Sequence, residues 1–246
     1  MDDKPLISIV IPCLNEEAYL PNVLTSILRQ QGAPSFEIIV ADCGSTDKTV
    51  EIAQRFANKV ASNCQKSAAH ARQAGAKLAD GELIAFIDAD VILPPKFLAS
   101  IPKNFKDSNI VLAYGPIAPI EASDLERFFI KGFFTTYLGV MDKLKKPMGV
   151  GTNLIVRKNA FEKINGFNTK MKTGEDLDLQ KRMLKVGKLK YSKDLWVYAS
   201  MRRVKKWGFK KFVTFHVKNT VNFLQGKETA QEYESTTTSE ENAKNN

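Results

Sequence analysis

The stretch Leu83-Ile84-Ala85-Phe86-Ile87-Asp88-Ala89-Asp90 joins five apolar residues directly to two acids that are spaced two apart. The apolar run has strand length and no polar alternation, which is typical of a strand buried on both faces in a sheet covered by helices. Ligands of open parallel sheets bind outside the carboxyl ends of the strands, so the two acids lie where chemistry is expected. A close pair of carboxylates favours a divalent metal; the alternative is a strand-to-loop junction whose acids face water.

Strands and amphipathic helices alternate before this stretch. Strands are predicted at residues 6–11 and 36–41, each followed by a helix, and an alanine-rich helix over residues 67–79 carries Arg72. This order predicts an α/β domain with a doubly wound, mostly parallel central sheet. The region contains neither a GxGxxG nor a GxxxxGKS/T loop, which argues against a dinucleotide-dependent enzyme and against a P-loop ATPase.

Two segments farther along the chain have patterns typical of a binding site. Gly151 and Thr152 precede a strand predicted at residues 154–156, and glycine lets the backbone approach a ligand closely. Glu175 and Asp176 lie in the first turn of a predicted helix. The alternative is that these two acids, together with Asp178 in the same turn, only complement the helix macrodipole.

Asp42 ends the second predicted strand, and it too has both a functional and a purely structural explanation. Parallel strands place their carboxyl ends on one edge of a sheet, which puts Asp42 near Asp88 and Asp90. Alternatively, Asp42 is a turn residue that accepts hydrogen bonds from its own backbone.

The composition bounds the partners. A net charge of +9 and a pI near 9.3 point to nucleic acid, nucleotide phosphates or an anionic membrane surface. No nucleic-acid recognition module is recognisable, so we expect no nucleic-acid partner. Residues 204–227 are predicted to form a basic amphipathic helix, which either lies on an anionic membrane surface or packs on the domain. The polar residues 228–246 predict a disordered tail.

The cysteines and the apolar stretches predict a location. Three cysteines without CxxC spacing argue against a disulfide framework and favour a reducing compartment. The N-terminus lacks the pattern of a signal peptide, and no apolar stretch is long enough to cross a bilayer. Together with the basic segment, these features predict a cytoplasmic protein that is peripheral at the cytoplasmic face of a membrane.

Four segments in this order resemble family 2 glycosyltransferases of the glycosyltransferase-A fold. They are SIVIPCLNEE (8–17), VADCGSTDKT (40–49), FIDAD (86–90) and TGED (173–176). The third is similar to the DxD motif of that family and the last to its ED motif. The resemblance implies one Rossmann-like nucleotide-diphospho-sugar transferase domain over residues 1–203.

The resemblance also implies an inverting, metal-dependent transfer of a sugar from a nucleoside-diphosphate sugar to an acceptor hydroxyl. Asp90 and Asp88 would hold Mn²⁺ or Mg²⁺ at the diphosphate, and Asp88 would also approach the ribose. Asp176 would be the general base, and Glu175 would bind acceptor or sugar hydroxyls. The other donor-binding residues implied are Pro12, Cys13, Leu14, Asn15, Glu16, Asp42, Arg72, Ala89, Gly151, Thr152, Arg202 and Arg203.

One departure from the family pattern concerns the metal. Many relatives carry a histidine near the end of the strand that follows the ED helix, whereas this chain reads VYASMRR over residues 197–203. The third protein ligand is therefore left open. Arg202 or Arg203 would instead stabilise the diphosphate as fixed positive charge.

Two other functions are compatible with paired acids on an α/β sheet. A nucleotidyltransferase uses the same metal chemistry but attacks phosphorus and releases pyrophosphate. A nucleotide-sugar binding module needs the donor site without the base. The basic segment further leads us to expect a lipid-linked or otherwise membrane-associated acceptor.

Overall fold

A sheet covered by helices on both faces forms the core of the protein. The computed structural model describes residues 4–62, 64–123, 149, 151–171 and 173–208, together with isolated residues between 125 and 140 and between 210 and 218. The strands are β1 (Ile7–Cys13), β2 (Phe36–Asp42), β3 (Lys59–Ala61), β4 (Leu83–Ile87), β5 (Val91–Ile92), β6 (Ile110–Tyr114), β7 (Ile117–Pro119), β8 (Asn153–Arg157), β9 (Lys188–Tyr191) and β10 (Val197–Ala199). The helices are α1 (Leu20–Leu28), α2 (Thr49–Phe56), α3 (Ala68–Lys77), α4 (Phe97–Asn104), α5 (Lys158–Lys163), α6 (Glu175–Met183) and α7 (Arg202–Trp207).

The main sheet has seven strands in the order β3-β2-β1-β4-β8-β6-β9. All of them run in one direction except β8, which is antiparallel to both of its neighbours. Strand β4 is central, and all five of its residues are buried, as the apolar run predicts. The prediction of an α/β domain with a mostly parallel sheet is therefore confirmed.

The two faces of the sheet build two apolar cores. Because successive strand residues point to opposite faces, Ile9 and Ala85 pack on the side of α1 and α4. Val10 and Phe86 pack on the side of α3, α5 and α6. Both faces of β4 are thus covered, which explains why its sequence shows no polar alternation.

A close approach of α3 to β1 sets the position of Arg72. A Cβ at Gly75 would clash with Val10 and would lie 3.3 Å from the Cβ of Ala41. Glycine therefore lets α3 lie directly on the sheet. Arg72, one helical turn earlier, is 4% exposed and reaches the residues that follow β4.

A second, three-stranded sheet in the order β5-β10-β7 lies at the carboxyl end of β4. Strand β10 pairs with β5 just after Asp90, and the Ser200 N–H donates to the Asp90 carbonyl over 3.0 Å. This contact brings the segment before α7 to the two acids of the opening stretch.

Two features of the fold differ from the sequence prediction. The three-residue strand β3 was not expected, because so short a run carries no readable periodicity. Cys43 and Cys64 form a disulfide with a Cα–Cα distance of 4.9 Å. The argument against a disulfide framework is therefore wrong for these two cysteines, and the cysteines no longer favour a reducing compartment. Strands β2 and β3 are neighbours and bring the loops after them together. Cys13 is free and buried.

The described residues contain no helix that is long and apolar enough to cross a membrane. Helix α7 begins just before residue 204 and ends at Trp207. Most of the predicted basic segment 204–227 and the whole tail 228–246 lie outside the described residues. The aromatic-rich sequence of residues 121–144 also predicts a helix, and most of it lies outside them as well.

Candidate active site

The loops that follow β1 and β2 are joined by hydrogen bonds between their tips. The Asn15 N–H donates to Ser45 Oγ over 2.7 Å, and the Thr46 N–H donates to Asn15 Oδ1 over 2.7 Å. Asn15 adopts a φ of 55°, a left-handed conformation that asparagine tolerates better than most residues. The Glu16 N–H donates to Thr49 Oγ1 over 2.8 Å. These bonds hold one continuous polar rim over the ends of β1 and β2.

Asp42 holds the second of these loops from inside. Its Oδ2 accepts hydrogen bonds of 3.0 Å from the N–H groups of Gly44 and Ser45, and its Oδ1 accepts one from the Ser45 hydroxyl. The carboxylate is 4% exposed. These contacts match the turn interpretation of Asp42, and the contact with a nucleotide base stays a prediction.

Arg72 connects the acids that follow β4 to the acids of α6. Its Nη2 lies 2.7 Å from Asp88 Oδ1, and its Nη1 lies 2.6 Å from Glu175 Oε1. Phe167 stacks 6.0 Å from the guanidinium carbon. Burial opposes the charge on Arg72, but Asp88 and Glu175 raise its pKa above the ordinary value. Arg72 is therefore a permanent buried cation between the FIDAD segment (86–90) and the TGED segment (173–176).

Asp88 is held ionised by this arrangement. Its second oxygen, Oδ2, accepts a 2.8 Å hydrogen bond from the Thr152 hydroxyl. Burial disfavours the charged form, yet the pKa of Asp88 is lowered because Arg72, Thr152 and Arg203 together outweigh that penalty. Both Asp88 oxygens thus have partners from the protein itself.

Asp176 faces the glycine loop that precedes β8. Its Oδ2 accepts a 2.9 Å hydrogen bond from the Gly151 N–H, and its Oδ1 accepts one of 2.8 Å from the Leu177 N–H. Burial raises the pKa of Asp176, although Arg72 and these N–H groups lower it in part. Burial likewise raises the pKa of Glu175. A carboxylate with a raised pKa and a fixed orientation is suited to accept a proton.

Gln180 holds the same loop and was missed from sequence. Its side-chain amide donates to the Gly149 carbonyl and accepts from the Gly149 N–H, each over 2.8 Å. The side chain is 1% exposed. Since Gln180 lies one helical turn after Asp176, helical spacing was the one signal available in the sequence.

Asp90 belongs to a separate ion-pair cluster with Arg202 and Glu16. Arg202 Nε lies 2.8 Å from Asp90 Oδ2, and its two Nη atoms lie 2.8 and 2.6 Å from the Glu16 carboxylate oxygens. The guanidinium stacks 4.5 Å above the ring of Tyr19. Burial raises the pKa of Asp90, and Arg202 offsets this only in part. The same balance of burial and Arg202 raises the pKa of Glu16.

The remaining predicted residues lie around these clusters. Pro12 and Leu14 are half-buried, whereas Cys13 and Ala89 are buried. Burial, followed by the nearby charges of Glu16 and Asp42, raises the pKa of the Cys13 thiol, so Cys13 is no nucleophile. Arg203 acts electrostatically on both Asp88 and Asp90.

The donor set fits a divalent cation that binds together with phosphate. The site combines five carboxylates with three guanidinium groups, which leaves two negative charges in excess when all are ionised: Glu16, Asp88, Asp90, Glu175 and Asp176 against Arg72, Arg202 and Arg203. In the described part of the chain, no group of three or more His, Cys, Asp or Glu residues is arranged to hold a metal. Mg²⁺-type sites commonly use one or two carboxylates and complete the shell with substrate phosphates and water.

Comparison with known proteins agrees with this geometry. The profile described as Glycosyl transferase family 2 matches residues 8–165, which include β2, β4 and β8. The chain belongs to glycosyl transferase family 2. This family member is 30% identical over 189 residues to the UDP-Glc:alpha-D-GlcNAc-diphosphoundecaprenol beta-1,3-glucosyltransferase WfgD of Escherichia coli, covering 75% of the chain and 72% of WfgD.

A second relative matches over a shorter region. The validoxylamine A glucosyltransferase of Streptomyces hygroscopicus subsp. limoneus is 36% identical over 104 residues, covering 39% of the chain. The matched region is 23% of that relative's own length.

Solved structures identify the fold of this family member. The mannosyltransferase PcManGT of Pyrobaculum calidifontis, in complex with GDP-Man and Mn²⁺, superposes with a TM-score of 0.66 at 18% identity over 88% of this chain and 65% of that one. Glucosyl-3-phosphoglycerate synthase of Mycobacterium tuberculosis, in complex with Mn²⁺, UDP and glucosyl-3-phosphoglycerate, gives a TM-score of 0.63 at 18% identity over 94% and 82%. The predicted glycosyltransferase-A fold is confirmed.

Proposed function

We propose that this chain is an inverting, divalent-metal-dependent glycosyltransferase that moves a sugar from a nucleoside-diphosphate sugar to an acceptor hydroxyl. The observation that carries the proposal is the division of the acids into two clusters with different direct partners. Asp90 pairs with the Arg202 guanidinium at the end of β4. Asp176 instead accepts hydrogen bonds from the backbone N–H groups of Gly151 and Leu177. One cluster is suited to a leaving diphosphate and the other to a proton transfer.

On the donor side, Asp90, with Asp88 beside it, would hold Mn²⁺ or Mg²⁺. When bound, such an ion supplies a Lewis acid that offsets charge on the departing diphosphate. Arg203 and Arg202 add fixed positive charge around Asp90. The rim formed by Asn15 and the loop that Asp42 holds would face the nucleoside.

On the acceptor side, Asp176 would remove the proton from the attacking hydroxyl. The acceptor oxygen then forms a bond to the anomeric carbon as the bond to the diphosphate oxygen breaks, and the electron pair leaves with the nucleoside diphosphate. A single displacement of this kind inverts the anomeric configuration. Arg72 keeps Glu175 in place next to Asp176, where Glu175 would bind a sugar or acceptor hydroxyl.

The acceptor class is proposed from two independent supports. The name of WfgD places its acceptor sugar on diphosphoundecaprenol. Lys205 and Lys206 of α7 lie in segment 204–227, which the sequence predicts to lie on an anionic membrane surface. We therefore propose a lipid-linked acceptor and a peripheral position on an anionic membrane surface.

Product analysis tests the proposed reaction. The protein is incubated with Mn²⁺, UDP-, GDP- and dTDP-sugars and a polyprenyl-diphosphate-sugar acceptor, and the products are identified by mass spectrometry and NMR. We expect a new glycosidic bond of inverted configuration and release of a nucleoside diphosphate. Release of pyrophosphate would instead identify a nucleotidyltransferase.

Vesicle co-sedimentation tests the membrane proposal separately. We expect recovery with phosphatidylglycerol vesicles that falls at high salt, and little recovery with phosphatidylcholine vesicles. Equal recovery with both kinds of vesicle, or none with either, would contradict it.

A further inference from the structure

Arg202 makes two contacts of different quality. It meets Glu16 through two parallel hydrogen bonds of 2.8 and 2.6 Å, the forked geometry that guanidinium and carboxylate groups favour. It meets Asp90 only through Nε, which lies 2.8 Å from Oδ2 without an aligned hydrogen bond. The contact of Arg202 with Asp90 is therefore weaker than its contact with Glu16 and breaks more easily.

The location of Arg202 restricts how cations reach Asp90. The side chains of Arg202 and Asp90 are 13% and 14% exposed. Ser200 fixes the Arg202 segment to the Asp90 backbone, and Tyr19 covers one face of the guanidinium. A divalent cation that approaches Asp90 alone therefore meets a positive charge beside the oxygen that it needs. In such a poorly solvated position that repulsion is weakly screened.

A diphosphate changes this balance. It offers the guanidinium a second anion of suitable geometry, while Glu16 still anchors the other edge of the fork. When Arg202 turns to the diphosphate, Asp90 Oδ2 becomes available to the divalent metal. Neither Arg202 nor Asp90 is then left as an unpaired buried charge, whose cost would otherwise oppose this change of partners.

We propose that Arg202 is a placeholder cation for Asp90 and makes binding of the divalent metal depend on binding of the diphosphate. Arg202 pairs with Asp90 until a diphosphate provides another partner, so metal and nucleotide bind together rather than separately. This inference rests on the proposed function, because it requires a nucleoside diphosphate to bind at this site. Arg202 acts through Asp90 and is a positioning residue for the metal.

Calorimetric titration tests the proposal by measuring affinities rather than turnover. The Kd of Mn²⁺ is measured alone and with saturating UDP, GDP or dTDP, and the ratio of the two is the coupling factor. Wild-type protein is expected to show a coupling factor of tenfold or more, within the usual range for linked sites, about 5–150-fold. In Arg202→Gln, Mn²⁺ alone should bind about tenfold more tightly and the coupling factor should fall by a similar amount.

Three variants separate the charge of Arg202 from other effects. The double variant Glu16→Gln/Arg202→Gln tests whether the Glu16 carboxylate, once it has lost Arg202, causes the tighter Mn²⁺ binding. We expect Mn²⁺ alone to bind this double variant as tightly as it binds Arg202→Gln. Arg202→Lys keeps the charge but loses the fork to Glu16, so Mn²⁺ alone should bind less tightly to this variant than to Arg202→Gln. Lys205→Gln removes a charge from the same helix at a side chain that is 67% exposed. It should change neither the Kd of Mn²⁺ alone nor the coupling factor.

The outcomes distinguish this inference from the proposed function. If the wild type binds no nucleoside diphosphate in the presence of Mn²⁺, both fail. If it does bind one but Mn²⁺ alone binds Arg202→Gln no better, only the placeholder role is overturned. A wild-type coupling factor below about twofold overturns that role even if Arg202→Gln does not fold.

Discussion

Arg72 Nη1 lies 2.6 Å from Glu175 Oε1, although 103 residues separate the two in the chain. The same guanidinium contacts Asp88 through Nη2. One buried cation thus fixes the distance between the edge proposed for the diphosphate and the helix that carries Asp176. This arrangement and the loops beside it lead to five predictions.

Replacing Arg72 with methionine should destabilise the protein by about 3–5 kcal/mol, because it leaves two buried carboxylates without their cation. Urea unfolding measures this change. The control is Arg55→Met, which breaks an ion pair with Glu51 whose side chains are 68% and 55% exposed. That change should cost less than about 1 kcal/mol. Equal costs for the two variants would mean that Arg72 is not an organising residue.

Gly151→Ala should lower transfer activity by about tenfold or more through Arg72. The added Cβ would lie 2.8 Å from Arg72 Nη2, and the guanidinium cannot move away without breaking its ion pairs. A shift of about 1 Å in groups near the reacting atoms commonly lowers the rate by one to two orders of magnitude. Gly132→Ala is the matched control, since nothing lies within 4 Å of its added Cβ. Comparable rates for wild type and Gly151→Ala would contradict this interpretation of the loop.

Asp176→Asn should reduce turnover by about two to four orders of magnitude while donor binding survives. Asparagine can still accept the hydrogen bond from Gly151, so the loop keeps its position. Asp178→Asn is the control because Asp178 lies in the same helical turn but pairs with Arg182 at 2.7 Å. If the acids serve only the helix macrodipole, the two variants should behave alike, and the base assignment would then be wrong.

The pH dependence of kcat/KM should reflect the raised pKa of Asp176. A general base must be ionised, so activity falls as the pH drops through that pKa. Because burial raises the Asp176 pKa, the acid limb should lie above the ordinary aspartate value of about 3.9. Initial rates across a pH series at saturating Mn²⁺ give this limb. A rate that stays constant down to about pH 4 would contradict the assignment.

Reduction of the Cys43–Cys64 disulfide should destabilise the protein by about 3 kcal/mol, because the bond closes a loop with a sequence separation of 21 residues. Thermal unfolding with and without dithiothreitol measures the change. Cys43→Ser/Cys64→Ser should match the reduced wild type and should no longer respond to the reductant. A response that persists in the double variant would show that another group is responsible.

The elements of the central sheet could be predicted because β1, β2 and β4 are uninterrupted apolar runs, and buried strands require such runs. The candidate acids could be predicted because parallel strands place their carboxyl ends on one edge. In contrast, the three-residue strand β3 and the Cys43–Cys64 pairing depend on which strands become neighbours, and no local pattern encodes that.

The pairing within the site was also beyond local sequence reasoning. Arg202 was expected to bind the diphosphate, but its contacts with Glu16 and Asp90 depend on how β10 packs beside β5. The hydrogen bonds of Asp42 to Gly44 and Ser45 match its interpretation as a turn residue, whereas its contact with a nucleotide base stays a prediction. Side-chain partners across long separations are decided by tertiary packing, which propensity and spacing do not contain.

The central claim is that the acids after β4 and the base on α6 serve a nucleoside-diphosphate sugar and a divalent metal. Calorimetric titration of the wild type with UDP, GDP and dTDP, with Mn²⁺ and after chelation of the metal, tests it most directly. We predict that at least one of the three binds with Mn²⁺ and that chelation, or Asp90→Asn, weakens its binding by about tenfold or more. If none of the three binds in the presence of Mn²⁺, the claim is contradicted.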